Sequence, residues 1–382
     1  MSSSQNEYSF FLRKPKILFA PLDWGLGHAT RSIPLIQHLV DRGCAVTLAG
    51  DGAVAKLLHE AFPALPLLTL PGYHVRYARE ARCFGWKMLQ QLPRLVRVMQ
   101  AEQRWLQEQV AVHGFDAVVS DNRPGLYHAS LPTVYITHQV RVLAGSGWNT
   151  YWATRWHQRI IRRFGVCWAP DLAESPGLAG MLSHPRHLPA GISLQYLGPI
   201  SRLVPAAFVQ RDPNHLLILL SGPEPQRTLL EQALVQQLRN WPGTALVVRG
   251  LPSGDTSAPY LELPFPDRMQ VKQYLHSNDL ALAMQQAGWV WCRSGYTTVM
   301  DLIRLNTRAV LVPTPGQSEQ NYLAQHLSEA GWFPFQLQDQ VNIDQAIAQL
   351  QRNASPVPTI DFNRYKQVID AWLIQHFSPD HQ

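Results

Sequence analysis

No apolar run in this 382-residue chain approaches the ~18 residues that a membrane-spanning helix needs, so no span is expected. The opening residues, MSSSQNEYSFFLRKPK, lack the positive-then-apolar order of a secretory signal. Cysteine is scarce: Cys44, Cys83, Cys167 and Cys292 lie far apart and form no Cys-x-x-Cys pair. That scatter excludes a disulfide framework, argues against zinc, and fits reduced, buried thiols in a cytoplasmic protein. Charged residues make up only 16% against 46% hydrophobic, which excludes a disordered chain. Acidic residues are missing altogether between Asn122 and Pro170.

What charge there is falls unevenly. Residues 1–200 hold 20 Lys and Arg against 12 Asp and Glu, a net +8, while the remainder carries −2. An anionic partner for the first half is one reading of this excess, and plain solubility is the other. The length suggests two or three domains.

The most informative stretch is WVWCRSGYTTVMDLIRLNTRAVLVPTPGQSEQN, residues 289–321. Trp289 to Cys292 reads as a buried parallel strand, Arg293-Ser294-Gly295 as a turn, and Thr297 to Leu305 as a helix. Arg308 to Val312 reads as the next strand, Gln317 to Asn321 as a polar loop, and Tyr322 to Ala330 as a helix. A hydroxyl residue and a glycine between strand and helix gather free backbone N–H groups and a positive helix end, which suits a phosphate. Asp301, two turns along, supplies a carboxylate for a ribose hydroxyl. The polar run lies at the same carboxyl edge, where open α/β sheets hold ligands. An ordinary βαβ unit with a plain helix cap is the alternative.

The segment CRSGYTTVMDL…LVPTPGQSEQNYLA resembles the donor-binding motif of GT-B glycosyltransferases, most closely family 28. The resemblance implies donor contacts from Arg293, Ser294, Gly295, Thr298, Asp301, Glu319, Gln320 and Asn321. It also implies a Gly/Ser loop at Ser221 and Gly222, and a backbone contact to the base at Leu275. At that loop the chain reads SGPEPQRT, with two prolines and a glutamate where the family carries Gly-Ser-x-Gly.

Towards the N-terminus, Lys16 to Pro21 reads as a buried strand, Asp23 to His28 as a Gly-rich turn, Ala29 to Arg42 as a helix that Pro34 would bend or shift, and Ala45 to Ala49 as a strand. A dinucleotide fingerprint fits poorly, because Thr30 stands where a third glycine belongs and four residues separate the strand from Gly25. The same stretch, GLGHATRSIPLIQHLVDRG, resembles the segment that opens GT-B glycosyltransferases, with Gly25 and Gly27 facing acceptor and diphosphate. His28 is the candidate base: a neutral imidazole can take the proton of an acceptor hydroxyl. A His that merely caps the turn is the alternative. Phe115 to Ser120 reads as a strand ending at Asp121, which matches the carboxylate that orients the catalytic His in some GT-B enzymes. A turn-forming Asp in SDNRPG is the other reading. Val134 to Thr137 is a strand leading to His138, which would face the acceptor.

Residues 84–113 read as a basic helix. Residues 148–168, WNTYWATRWHQRIIRRFGVCW, interleave four arginines with aromatics at helical spacing. This segment suits an anionic membrane surface or acceptor, unless its aromatic face packs inward; no second motif supports nucleic acid. Further strands are expected over His215 to Leu220, Ala245 to Arg249 and Met269 to Leu275. Helices are expected over Leu229 to Leu238, Asn278 to Ala287 and Phe362 to Phe377.

The expected architecture is α/β: a GT-B pair of Rossmann-like domains with parallel sheets facing a central cleft. The parts are a lead-in (1–14), an acceptor domain (15–197, plus a returning helix within 360–382), a linker (198–213) and a donor domain (214–359). The implied function is inverting transfer of a sugar from a nucleotide-diphosphate donor, a UDP-sugar, to an acceptor hydroxyl on a lipid-linked or glycan acceptor. No cofactor is expected, and the lack of an Asp-x-Asp triplet argues against an obligatory metal. The expected location is cytoplasmic or peripheral on the inner face of a membrane. The rival readings are a UDP-sugar 2-epimerase on the same fold and a non-catalytic nucleotide-sugar-binding protein.

Overall fold

The computed structural model describes residues 13–73, 84–251, 262–353 and 359–378. Most of the lead-in expected over residues 1–14, and the side chains at the start of the 84–113 helix, lie outside the described residues. The chain divides into two compact units: Met1–Val75, Gln90–Ile200 and Asp361–Gln382 form one, and Arg76–Leu89 and Ser201–Ile360 the other.

The first unit is built on β1 (Lys16–Pro21), α1 (Leu26–Asp41), β2 (Ala45–Gly50), α2 (Gly52–Ala61) and β3 (Leu67–Thr69). Next come α3 (Phe84–His113), β4 (Ala117–Asp121), β5 (Thr133–Ile136), α4 (Gly147–Ile161), β6 (Val166–Ala169) and β7 (Leu194–Tyr196). The sheet is parallel throughout, in the order β3-β2-β1-β4-β5-β6-β7. Strands buried on both faces must be apolar on both, which explains the unbroken run KILFAP. Ile17 and Phe19 enter the core under α1 and α2, while Leu18 and Ala20 meet Leu106 of α3 on the other face.

The second unit contains β8 (Asp212–Leu219), α5 (Gln226–Gln237), β9 (Thr244–Val248), β10 (Met269–Lys272), α6 (Ser277–Gln286) and β11 (Ala287–Cys292). It continues with α7 (Tyr296–Arg304), β12 (Ala309–Leu311), α8 (Ser318–Glu329) and α9 (Ile343–Asn353). Its parallel sheet runs β10-β9-β8-β11-β12. The final helix, α10 (Arg364–Phe377), returns to the first unit and buries Tyr365, Ile369, Trp372 and Leu373 in its core.

Both sheets reverse strand order once, between β1 and β4 in the first and between β8 and β11 in the second. Such switch points open crevices at the carboxyl ends of the strands, where α/β proteins take their ligands.

Three expectations are corrected and one alternative is set aside. The first helix begins at Leu26, so His28 sits in its first turn; Pro34 lies inside the helix without resetting its start. The polar run Glu319, Gln320 and Asn321 is the first turn of α8, not a loop, because Asn321 N already donates to Gln317 O at 3.1 Å. β10 ends at Lys272, which leaves Leu275 in the loop before α6. The aromatic face of α4 is not turned inward: Trp148, Tyr151, Trp152 and Trp156 are exposed, and the inward residues are His157, Gln158, Ile160 and Ile161.

Candidate functional site

In the first unit the switch point gathers a cluster of five polar side chains, His28, Arg31, Ser32, Asp121 and His138. The parallel register sets Pro21 of β1 beside Asp121 of β4, and Leu22 N donates to Asp121 O at 2.9 Å. The chain then turns through Gly25, whose φ of 84° is left-handed, and enters α1. Helical spacing places His28, Arg31 and Ser32 on one side of that helix, toward the end of β4. His28 Nδ1 lies 3.0 Å from Asp121 Oδ1. Arg31 grips the same carboxylate with two nitrogens: Nε donates to Oδ2 at 2.8 Å, and Nη2 donates to Oδ1. Arg31 Nη2 is also 2.9 Å from His28 Nδ1, and Nη1 is 3.4 Å from His138 Nδ1.

Asp121 and Arg31 are fully buried, while the His28 side chain keeps 16% exposure. The turn-forming reading of Asp121 does not hold; the left-handed residue is Asn122, with φ of 61°. Burial and the Arg31 charge press the His28 imidazole toward its neutral form, outweighing Asp121. Burial alone would raise the Asp121 carboxyl, but Arg31 and His28 hold it well below the usual carboxylate range. Sequence reasoning brought His28, Asp121 and His138 together and missed Arg31. The signal was there: a basic residue three positions after His28 shares its helix face.

In the second unit the ends of β8, β11 and β12 meet the start of α7. Gly295 caps α7, and Val299 N donates back to Gly295 O at 3.0 Å, which closes the first turn of a helix whose positive end lies at the carboxyl edge of the sheet. Ser294 is buried, and its Oγ donates to Gln320 O at 2.8 Å. That hydroxyl therefore ties α8 to the turn, and the Gln320 side chain folds back to accept from Thr314 N at 2.9 Å. Arg293 is corrected as a cation open to phosphate. It is 1% exposed, with Nη1 donating to the Val312 and Pro313 carbonyls and Nη2 donating to Gln226 O and Gln338 Oε1. Across the switch point, Gly222 turns with φ of 98° after Ser221 at the end of β8. Glu224 is held by Arg227 Nε at 2.7 Å, so the substituted loop SGPEPQRT is braced by an ion pair.

The model of the glycosyltransferase family 28 C-terminal domain matches residues 255–367. The curated UDP-N-acetylglucosamine--N-acetylmuramyl-(pentapeptide) pyrophosphoryl-undecaprenol N-acetylglucosamine transferase of Desulforudis audaxviator (strain MP104C) is 34% identical over 131 residues. This covers 31% of the present chain and 35% of that protein. The chain has the GT-B fold, and its C-terminal part is similar to the family 28 glycosyltransferase C-terminal domain. Among solved structures, the calicheamicin glycosyltransferase CalG4 aligns over 95% of this chain and 99% of its own, with a TM-score of 0.63 and 16% identity. Acinetobacter baumannii MurG aligns over 95% and 100%, with a TM-score of 0.52 and 15% identity. At such identities these two speak for the fold alone.

Within the family 28 domain, Asp301 and Thr298 follow Gly295 along α7. The Asp301 carboxyl is raised to about 7 by burial, although Ser201 Oγ donates to its Oδ1 at 2.5 Å. Ser201 had no role in the sequence reading, since nothing in its neighbourhood points to α7.

Proposed function

We propose that the protein is an inverting, metal- and cofactor-independent glycosyltransferase that moves a sugar from a UDP-sugar to an acceptor hydroxyl. The observation that carries this reading is the His28–Asp121 contact at one switch point, in a chain whose other switch point belongs to a family 28 domain. His28 Nε2 takes the acceptor proton, with Nδ1–H donating to Asp121, which orients the ring. The acceptor oxygen bonds to the anomeric carbon from the face opposite the diphosphate. The bond from that carbon to the diphosphate oxygen breaks, and its electron pair leaves with UDP. The developing charge falls on the amides at the start of α7, beside Ser294 and Gly295, with Ser221 and Gly222 as a second backbone contact. Asp301 accepts from the ribose, the backbone near Leu275 reads the base, and Glu319, Gln320 and Asn321 contact the donor sugar.

The acceptor reads as an amphiphile with a phosphate. The curated relative's name specifies a pyrophosphoryl-undecaprenol acceptor. Here α4 exposes Trp148, Tyr151, Trp152 and Trp156 beside Arg155, Arg159, Arg162 and Arg163, in a stretch with no acid to oppose them. Such a face suits a peripheral protein at the cytoplasmic side of an anionic membrane.

The test is UDP release from UDP-sugars with and without a polyprenyl-diphosphate acceptor, in EDTA, for wild type and His28→Ala. Acceptor-dependent release that survives EDTA and falls at least ~100-fold in kcat for the variant, as loss of a general base predicts, supports the reading. UDP binding without turnover would overturn it in favour of the non-catalytic alternative.

A further inference from the structure

Arg31 is the charged member of the first-unit cluster to which the proposed reaction gives no task. It is too deeply built in to be an ordinary surface charge: 2% exposed, with two nitrogens on Asp121. The groups that face His28 are Arg31 and Ser32 from its own helix, Asp121 from β4, and His138 from the segment after β5.

A His–Asp pair without Arg31 would be a simple buried ion pair. The carboxylate would draw a proton onto the imidazole, and a protonated His28 has no lone pair for an acceptor hydroxyl. With Arg31 in place the negative charge of Asp121 is already matched. A further proton on His28 would leave the buried cluster with a net positive charge.

Resting on the reaction proposed above, we infer that Arg31 is a positioning residue that saturates Asp121, so that His28 stays unprotonated at neutral pH with its Nδ1–H directed at the carboxylate and Nε2 free. Asp121 keeps the orientation function of a triad carboxylate, while Arg31 removes most of its power to make the imidazole basic. The two effects come from separate residues and can be separated by mutation. This divides the work differently from a bare dyad, in which one carboxylate both orients the ring and raises its basicity.

Nitrogen-resolved NMR of the His28 ring in the full-length protein reads both the tautomer and the titration midpoint without any substrate. In the wild type the neutral ring should carry its proton on Nδ1 and titrate below 6.5, the ordinary histidine value. Arg31→Gln should raise that midpoint by about one pH unit, a tenfold gain in proton affinity. The acid limb of kcat/KM for sugar transfer should move up by the same amount, with donor KM unchanged. Arg31→Lys keeps the charge and should restore most of the shift. A wild-type proton on Nε2 or a midpoint above 6.5 overturns the inference even if no variant folds. So does an Arg31→Gln protein whose rate falls evenly at every pH, the signature of a structural role alone. The failure of the transferase reading shows differently: the wild type would bind UDP without any turnover, whatever the ring titration reports.

Discussion

Asp301 combines a tight hydrogen bond from Ser201 with a carboxyl pushed up to about 7 by burial. A raised folded-state value means that the folded protein binds more protons than the unfolded chain between about 4 and about 7, so this residue's contribution to stability falls as pH rises through that window. Asp301→Asn should therefore raise the melting temperature at pH 8 and gain little at pH 4. A scan at the two pH values checks this, and an equal gain at both would show that the carboxyl ionises normally. Asp301→Ala should weaken UDP binding about 10- to 100-fold, the range for loss of a hydrogen bond to a charged group, about 1.5–3 kcal/mol. Calorimetric titration reads that loss, and unchanged affinity would remove Asp301 from the ribose. At this scale the sequence pointed to His28, Asp121 and Asp301, and not to the residues that they touch. His28, Asp121 and Asp301 have few uses other than chemistry or capping at such positions. Arg31 and Ser201 are common residue types whose work depends on burial and on partners distant in the chain, neither of which periodicity reveals.

The strands were legible because a parallel sheet covered on both faces demands continuous apolar runs, as in KILFAP, FDAVVS and WVWC. What the sequence concealed were elements without an apolar stripe. The first turn of α8 is Ser-Glu-Gln-Asn, so its polar side chains read as loop. The start of β8 is Asp212-Pro213, which reads as the end of the linker. That start has a mechanical consequence. The register of β11 against β8 slips between Ala287 and Trp289, and a Cβ on Gly288 would come within 2.6 Å of Asp212 O and 2.7 Å of Pro213. Backbone atoms cannot give way as a flexible side chain does, so Gly288→Ala should cost about 1–3 kcal/mol, measured by urea unfolding. Stability equal to wild type would mean that the bulge relaxes freely. On α4, replacing Trp148 and Trp152 by Ser removes two exposed rings from the helix while sparing its buried face. Binding to vesicles rich in anionic lipid should weaken several-fold with no change in melting temperature, and high salt should weaken wild-type binding by screening the arginines. Salt-insensitive binding, or binding indifferent to the two rings, would take the membrane away from this helix.

At the scale of the whole chain, the C-terminal helix is covalently last yet structurally part of the first unit. Trp372 meets Trp168 edge to face at 5.6 Å, and Tyr365, Ile369 and Leu373 complete the same core. Asp370 binds Arg42 Nε at 2.7 Å and lies 2.8 Å from His38 Nε2, which fixes α10 against α1. Full burial of four large side chains contributes roughly 6–12 kcal/mol at the usual ~1.5–3 kcal/mol each. A domain of this size has only about 5–15 kcal/mol of net stability. A chain ending at Ile360 should therefore lose the fold of the first unit and leave the second, whose core takes none of its described residues from α10. Calorimetry of that truncated chain should show one transition instead of two, and UDP should still raise the one that survives. A first unit that melts as in the full chain would show that α10 is an ornament to its core. Loss of the UDP response would show that the family 28 domain cannot hold its donor site once the first unit is unfolded.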